Sequence, residues 1–345
     1  MRLPSSAFPW PYPDPEYVQS QVSVCISLLD VYDGRRTLEN YSLVTETRFE
    51  ETNVKKTGIA EWPDYLPHAL ADFRDLVWKR GLDEYRDLPW RNTTDPYAIW
   101  ISEVMLQQTQ VARVDGRWQR WIERFPTVSD LATANQADVL SEWQGMGYNR
   151  RALSLVKAAR MIDELGAFPT EVSELVKLPG IGPATAAGIR AFAFNLPGVY
   201  LETNVRTVFL HELFPDEDKV PDKTLVPLVE ISCPDESARA WYYALLDYGA
   251  YLKKTVPNPS RRSKSHARQS AFEGSHRQKR AEVVRILLAA PSEGLTEDQI
   301  ASELNRVETA EGRGPVELSE VDTLLSELTG EGFCKKSGNA YTIAS

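Results

Sequence analysis

The 345-residue sequence predicts a mainly α protein with a short β-containing extension at its front and a winged-helix-like module at its end. The helical prediction rests on spacing. From about residue 66 the segments DFRDLVWKRG, YAIWISEVMLQQ, GRWQRWIERF, QADVLSEWQG and RRALSLVKAARMIDEL repeat apolar residues every three or four positions. Ahead of them, QVSVCISLLDVY and NYSLVTETRFE are β-prone and separated by the turn-like DGRRTLEN, which predicts a hairpin. Near the end, AEVVRILLAA, TEDQIASELNRV and LSEVDTLLSELTGEG read as three short helices, the second opened by Thr296 as N-cap, before a closing hairpin over GFCKKSGNAYTIA. These patterns divide the chain into an N-terminal extension (1–65), a helical domain (66–252), a basic linker (253–280) and the winged-helix-like module (281–345).

Composition excludes several classes. At 42% hydrophobic and 26% charged residues the chain has ordinary globular usage, which argues against wholesale disorder, and no apolar run approaches the roughly 20 residues of a membrane helix. The start, MRLPSSAFPWPYPDPEY, has prolines where a secretory signal needs an apolar core. The expectation is an intracellular monomer without membrane attachment, in the cytoplasm or nucleoid, or in the nucleus if the source is eukaryotic. Cys25, Cys233 and Cys334 are far apart and match no metal-ligand spacing, so reduced thiols and no protein-bound metal are expected.

The formal net charge of −10 argues at first against a nucleic-acid ligand, because phosphate affinity rests on Lys and Arg. The average conceals an asymmetry. Between Lys253 and Arg280 stand nine basic residues against one acid, Glu273, which leaves the rest of the chain at about −18. A solvated linker accounts for such a run as readily as a phosphate contact does. The third helix of the terminal module is acidic (Glu317, Glu320, Asp322, Glu327) and would repel phosphate, so a protein-contact or structural role is expected of that module.

Three stretches carry candidate chemistry. Leu178-Pro179-Gly180-Ile181-Gly182 lies between helical patterns, and a tight Gly-rich turn there presents backbone N–H groups and a helix N-terminus to a phosphate oxygen without any side-chain charge. Gly-x-Gly turns also simply end helices. About 75 residues earlier, Glu103 stands inside an otherwise apolar helix face beside Ile101, Val104 and Met105, where desolvation would keep it protonated. Glu202 stands just before a new helix, where the positive helix end would keep it ionised. An acid and a carboxylate in contrasting surroundings suit N-glycosidic bond cleavage, which protonates a leaving group and steadies an oxocarbenium-like sugar. A plain helix cap at Glu202 and a structural ion pair at Glu103 remain alternatives.

Four stretches in this order and spacing resemble the helix-hairpin-helix (HhH-GPD) DNA glycosylases, and most closely their adenine DNA glycosylase branch: LPWRNTTDPYAIWISEVMLQQTQV at 88–111, WQGMGYNRRA at 143–152, LPGIGPATAAG at 178–188 and LETNVRTV at 201–208. The resemblance spans residues from about 70 to 250 and implies a two-lobed helical domain. It places Glu103 on the family's catalytic acid, and Gln107 and Gln108 on the turn that enters the base stack as the target nucleotide is extruded. It also places Trp90 and Arg91 by the substrate pocket and Tyr148 on the DNA-facing cleft, with core packing an equal reading for Trp90 and Tyr148. Gly180, Gly182 and Asn204 fall in its DNA-contacting stretches. The implied partner is double-stranded DNA, and the terminal module is left for a protein partner.

Four departures shape what carries over. The family's sugar-stabilising Asp is here Glu202, one methylene longer. Ala184 stands where bifunctional relatives such as endonuclease III carry a lysine nucleophile, so base removal without strand cleavage is expected; a lyase would need another lysine, such as Lys177. The four-cysteine spacing of the family's iron-sulfur cluster is absent, so no cluster is expected, although the hairpin leaves room for a monovalent cation. In its place runs KKTVPNPSRRSKSHARQ, and Arg261, Arg262 and Lys264 are expected to do the phosphate work instead. Finally, the terminal module does not resemble the pyrophosphohydrolase-like domain with which the adenine branch reads 8-oxoguanine. The expected activity is monofunctional removal of a mispaired or damaged base in base excision repair, with adenine opposite guanine or 8-oxoguanine favoured. Alternatives are uracil or thymine mismatch removal and a non-catalytic DNA-binding scaffold.

Overall fold

The computed structural model describes residues 66–266 and 271–344. The hairpin expected between residues 21 and 50, and Cys25 with it, lie outside the described residues. In chain order the helices are α1 (Leu66–Asp83), α2 (Pro96–Leu106), α3 (Val111–Val114), α4 (Arg117–Arg124), α5 (Val128–Thr133), α6 (Gln136–Trp143) and α7 (Arg150–Leu165). Next come α8 (Val172–Leu175), α9 (Pro183–Phe194), α10 (Thr203–Glu212), α11 (Asp222–Ser232) and α12 (Ala238–Thr255). The last part holds α13 (His276–Leu288), β1 (Leu295–Thr296), α14 (Glu297–Ala310), α15 (Leu318–Gly330), β2 (Cys334–Ser337) and β3 (Ala340–Ile343). Among the described residues no helix is long and apolar enough to cross a membrane.

The chain forms two compact units, one running to Arg86 and resuming over Leu201–Lys264, the other made of Asp87–Tyr200 and the residues from Ser265 onward. In the first unit α1 and α10 both pack on α12. Aromatic rings fill that junction: Phe73 lies 4.8 Å from Phe209, and Trp78 lies 5.4 Å from Trp241, ring centre to ring centre. Gly81 is required there, because a β-carbon on it would fall 2.8 Å from the Ala244 backbone. Arg86 closes the unit through Asp247, whose carboxylate is fully enclosed, at 2.5 Å.

In the second unit α2 is the central helix. Asp95 caps it by accepting from the Tyr97 and Ala98 N–H groups, Pro96 occupies its first turn, and every residue from Tyr97 to Met105 is buried. That all-round burial explains why its apolar pattern is continuous and not a stripe. α9 packs against α2, and α5 against α7. Trp121 meets Phe125 at 5.1 Å and Trp143 at 5.5 Å, edge to face.

The three terminal helices and the hairpin form as expected, and β1 adds a third strand in the order β1-β3-β2, all antiparallel. A capping box of Thr296 and Gln299 opens α14. The elements cross the expected boundaries: α12 continues to Thr255, past 252, and α13 begins at His276, before 281. The module is also not a separate compact unit. Its buried residues, Val283 to Tyr341, join one continuous core with those of 90–189.

Electrostatics explains part of that fusion. The acids of α15 are turned onto the basic run: Lys279 meets Glu320 at 2.7 Å, Arg280 meets Glu327 and Glu331 (2.6 Å to the latter), and His276 meets Glu327 at 2.8 Å. Arg150, from the helical block, grips Glu331 with both Nε and Nη2, the former at 2.7 Å. Gln136 donates to the Gly332 carbonyl at 2.8 Å. Glu320 and Glu327 of the acidic face and Lys279 and Arg280 of the basic stripe therefore neutralise one another inside a single unit.

Candidate active site and nucleic-acid interface

Glu103 sits near the end of α2 with only 9% of its surface exposed. Its neighbours come from distant sequence. A β-carbon on Gly188, in α9, would stand 3.0 Å from the Glu103 carboxyl carbon and 2.7 Å from the Tyr200 ring, so these three residues are packed together with no spare volume. Tyr200 is buried and meets Phe192 edge-on at 5.2 Å. Gly188 closes the motif LPGIGPATAAG and Tyr200 directly precedes LETNVRTV, but no local pattern marks either for a role. Close approach of backbone to a functional group is the one signal a mid-helix glycine carries.

The turn after α2 holds the two candidate stack-entering residues. Gln107 ends the helix, its side chain donating to Thr185 Oγ1 at 3.0 Å, and Gln108 is held at φ 54°. Tyr148 is likewise at φ 47°. Non-glycine residues in this region cost on the order of 1–3 kcal/mol each and persist only where the surroundings over-determine them.

Arg151 supplies that determination. Its Nη1 donates to the carbonyls of Val104 (2.8 Å), Met105 (3.2 Å) and Gln107 (2.7 Å), while Nη2 reaches Thr109 Oγ1 (3.2 Å) and the carbonyls of Met146 (3.1 Å) and Gly147 (3.0 Å). One guanidinium thus ties the Gln107-Gln108 turn to the loop carrying Tyr148. Burial pulls its pKa down to about 10, which leaves it charged at neutral pH. Sequence reasoning missed this residue, although it stands in the quoted motif WQGMGYNRRA.

The Gly-rich stretch forms the turn between α8 and α9. Gly180 adopts φ 82°, and a β-carbon on it would press to 2.9 Å from Ser154 Cβ, so both conformation and space require glycine. Gly182 is the N-cap of α9, with Pro183 in its first turn and Ala184 half-buried beside it. Lys177 is exposed and paired with Glu174 at 2.8 Å. Trp90 is 3% exposed and edge-on to Trp118 at 6.3 Å, and Arg91 is 1% exposed, so both are core residues in the short turn Pro89–Arg91.

Glu202, in the first unit, caps α10: its Oε1 accepts from the N–H groups of Asn204 (2.5 Å) and Val205 (3.0 Å). Its place at a helix start predicts either an ionised group or a plain helix cap, and the cap is what forms. The structure turns the carboxyl inward, and burial pushes its pKa above the ordinary value. The Val205 N–H, the Lys253 ammonium, the Asn204 N–H and Arg206 oppose that shift without cancelling it. Lys253 feels the converse: desolvation lowers it, and Glu202 raises it back in part. Arg206 itself is held bidentately by Asp222 at 2.9 Å.

The segment expected to grip phosphate is a short 3-10 turn, Pro259–Arg262, packed on α10. Its arginines differ. Arg262 donates to the carbonyls of Leu210 (2.7 Å), Phe214 and Pro215 (2.5 Å), bracing the end of α10, whereas Arg261 and Lys264 are exposed. A four-thiolate cluster does not fit the donor set of the described residues: Cys233 is the one cysteine of this unit among them, and it is buried with its thiol 3.8 Å from the Pro234 carbonyl.

Residues 101–231 match the family described as the HhH-GPD superfamily base excision DNA repair protein. Adenine DNA glycosylase of Buchnera aphidicola subsp. Baizongia pistaciae is 36% identical over 161 residues, 46% of this chain and 46% of that protein. That of Mycolicibacterium smegmatis is 38% identical over 180 residues, 51% of this chain and 58% of that protein. That of Mycobacterium tuberculosis (strain CDC 1551 / Oshkosh) is 32% identical over 245 residues, 63% of this chain and 75% of that protein. The chain spans about half the length of the first two relatives. A solved structure described as a thermostable thymine-DNA glycosylase superposes with TM-score 0.50 at 22% identity, covering 63% of this chain and 96% of that one, a likeness of fold.

Proposed function

Since the chain belongs to the HhH-GPD superfamily of base excision DNA repair proteins, on its adenine DNA glycosylase branch, we propose that it is a monofunctional DNA N-glycosylase removing adenine opposite guanine or 8-oxoguanine. The observation that carries this reading is the buried Glu103 packed against Gly188 and Tyr200, on the same helix whose end turns into Gln107 and Gln108. A proton held in such an enclosed site is delivered to a ring nitrogen of an extruded purine, and water is kept from competing. The base leaves with the electron pair of the glycosidic bond. The Glu202 carboxylate steadies the resulting sugar cation until water attacks C1′, which yields an abasic site and free base.

Ala184 has no amine to form a Schiff base, which supports hydrolysis without coupled strand cleavage. The double-stranded DNA partner is held by the α9 N-terminus at Gly180–Gly182, by Arg261 and Lys264, and by the Gln108–Tyr148 region, as an intracellular repair enzyme without an iron-sulfur cluster.

Single-turnover incubation with duplexes holding A, U or T opposite each natural base and 8-oxoguanine, followed by alkali, tests the reading. Abasic sites at adenine opposite guanine or 8-oxoguanine are expected. Cleavage only at U or T would replace adenine with a pyrimidine substrate, and no product on any duplex would leave the scaffold function.

A further inference from the structure

The segment from Phe272 to Arg280 builds a second site in the same unit as Glu103. The Arg277 guanidinium lies over the Tyr148 ring at 5.4 Å and over the Phe272 ring at 5.3 Å, and its Nη1 donates to Tyr148 Oη at 3.2 Å. The two rings stay accessible, Phe272 at 47% and Tyr148 at 36% exposure. They border a cavity of about 760 Å³ whose wall includes Gln107, Gln108, Arg150 and Arg151. An adjoining cavity of about 550 Å³ shares Gln108, Tyr148, Phe272 and Arg277. Glu103, Gly188 and Tyr200 line neither of them.

The wall combines two aromatic rings with guanidinium groups laid over them, Arg277 over both and Arg151 also over Tyr148 at 5.6 Å, and such groups are complementary to phosphate and to purine acceptor edges. It adjoins Gln108, on the turn assigned to enter the base stack, yet lies apart from the acid that serves the departing base. The remaining nucleotide at such a turn is the one opposite.

We propose that Arg277, set between Tyr148 and Phe272, reads the base opposite the excised one and favours guanine, so that the terminal module takes part in substrate specificity. Guanine presents O6 and N7 together to an arginine fork, a pattern that cytosine and thymine lack. Packing of α13 on α15 through Lys279 and Arg280 fixes where Arg277 stands. The inference rests on the glycosylase reading above for its choice of substrate.

Its test uses binding, so that it does not depend on excision. The full-length protein is titrated by fluorescence anisotropy with duplexes carrying a non-cleavable tetrahydrofuran site opposite G, 8-oxoguanine, C or T. The unaltered protein is expected to prefer G over C and T by about tenfold, the value of one good arginine–guanine pair, and to hold 8-oxoguanine, whose N7 carries a hydrogen and so accepts at O6 alone, less tightly than G. Arg277→Ala should bring the ratio to near unity while leaving affinity for the C duplex nearly unchanged, and Arg277→Lys should restore little, having no fork. Equal loss on all four duplexes at an unchanged melting temperature would make Arg277 a phosphate contact and overturn the proposal, as would absence of any preference in the unaltered protein. A preserved preference in Arg277→Ala beside normal adenine excision would sink this inference alone. A lost preference beside no excision would sink only the glycosylase reading.

Discussion

The Glu103 carboxyl and Gly188 are in such close approach that α9 has no room for a single methyl group: a β-carbon there would sit 3.0 Å from Glu103 Cδ. Because Tyr200 blocks the other side at 2.7 Å, the intruding atom must displace the acid or the ring. Gly188→Ala is therefore expected to slow base excision by about a hundredfold, since ångström-scale misplacement of a reacting group has that effect. DNA binding should stay near the parent level. Unchanged single-turnover rates would mean that the carboxyl can move without consequence.

Removing the acid itself should be more severe. Glu103→Gln keeps the shape and removes the transferable proton, so the excision rate should fall by on the order of 10²–10⁴ or more while binding persists. Rate and anisotropy measurements on the same duplex separate the two.

Arg151→Ala would leave the carbonyls of Val104, Met105, Gln107, Met146 and Gly147 without their shared donor. The expected loss is about 3 kcal/mol or more in urea unfolding, the scale of a broken buried network. Arg151→Lys should recover only part of it, since a single ammonium cannot span six acceptors. A change below about 1 kcal/mol would assign the positive φ of Gln108 and Tyr148 to some other restraint.

Glu202 bears on pH. Its pKa is raised in the folded chain, so folding favours its protonated form, and the stability contributed that way is lost as pH rises through the folded pKa. The sugar cation needs the ionised form. Excision should accordingly gain rate as pH rises through a value above the usual 4.5 of a glutamate. Glu202→Asp should move that ascending limb, and a limb that stays in place in both Glu202→Asp and Glu202→Gln would assign it to another group.

Arg150 and Arg280 hold Glu331 below its ordinary value, which gives the opposite sign. The stability it contributes is complete above about pH 5 and is lost as pH falls through its depressed pKa. Acid unfolding of Glu331→Gln, followed by tryptophan fluorescence, should show a shallower acid limb than the parent. The same limb in both proteins would mean that the module docks by its apolar core alone.

Arg261 and Lys264 are exposed, whereas Arg262 is spent on three carbonyls. Replacing both exposed residues by alanine should weaken DNA binding and lower the slope of log Kd against log salt by about two, roughly one per lost phosphate contact. Arg262→Ala should instead lower the melting temperature. If the double replacement leaves the slope untouched, the DNA backbone is held elsewhere.

The sequence alone determined the mainly helical class, the terminal helices and hairpin, the capping of α14 by Thr296, and the motif positions of Glu103, Glu202 and the Gly180–Gly182 turn. These are set by local spacing, caps and turn chemistry, which act within a few residues and so leave a mark in the string. What only the tertiary structure decided are relationships among residues far apart in sequence. The packing of Gly188 and Tyr200 on Glu103, the six acceptors gathered by Arg151, the diversion of Arg262 from phosphate to carbonyls and the inward turn of the Glu202 carboxyl have no local signature. The acids of α15 show the same limit. Read along the chain they repel DNA, but in the fold Glu320 and Glu327 are answered by Lys279, Arg280 and His276. Charge acts through space, and its partners are chosen by packing.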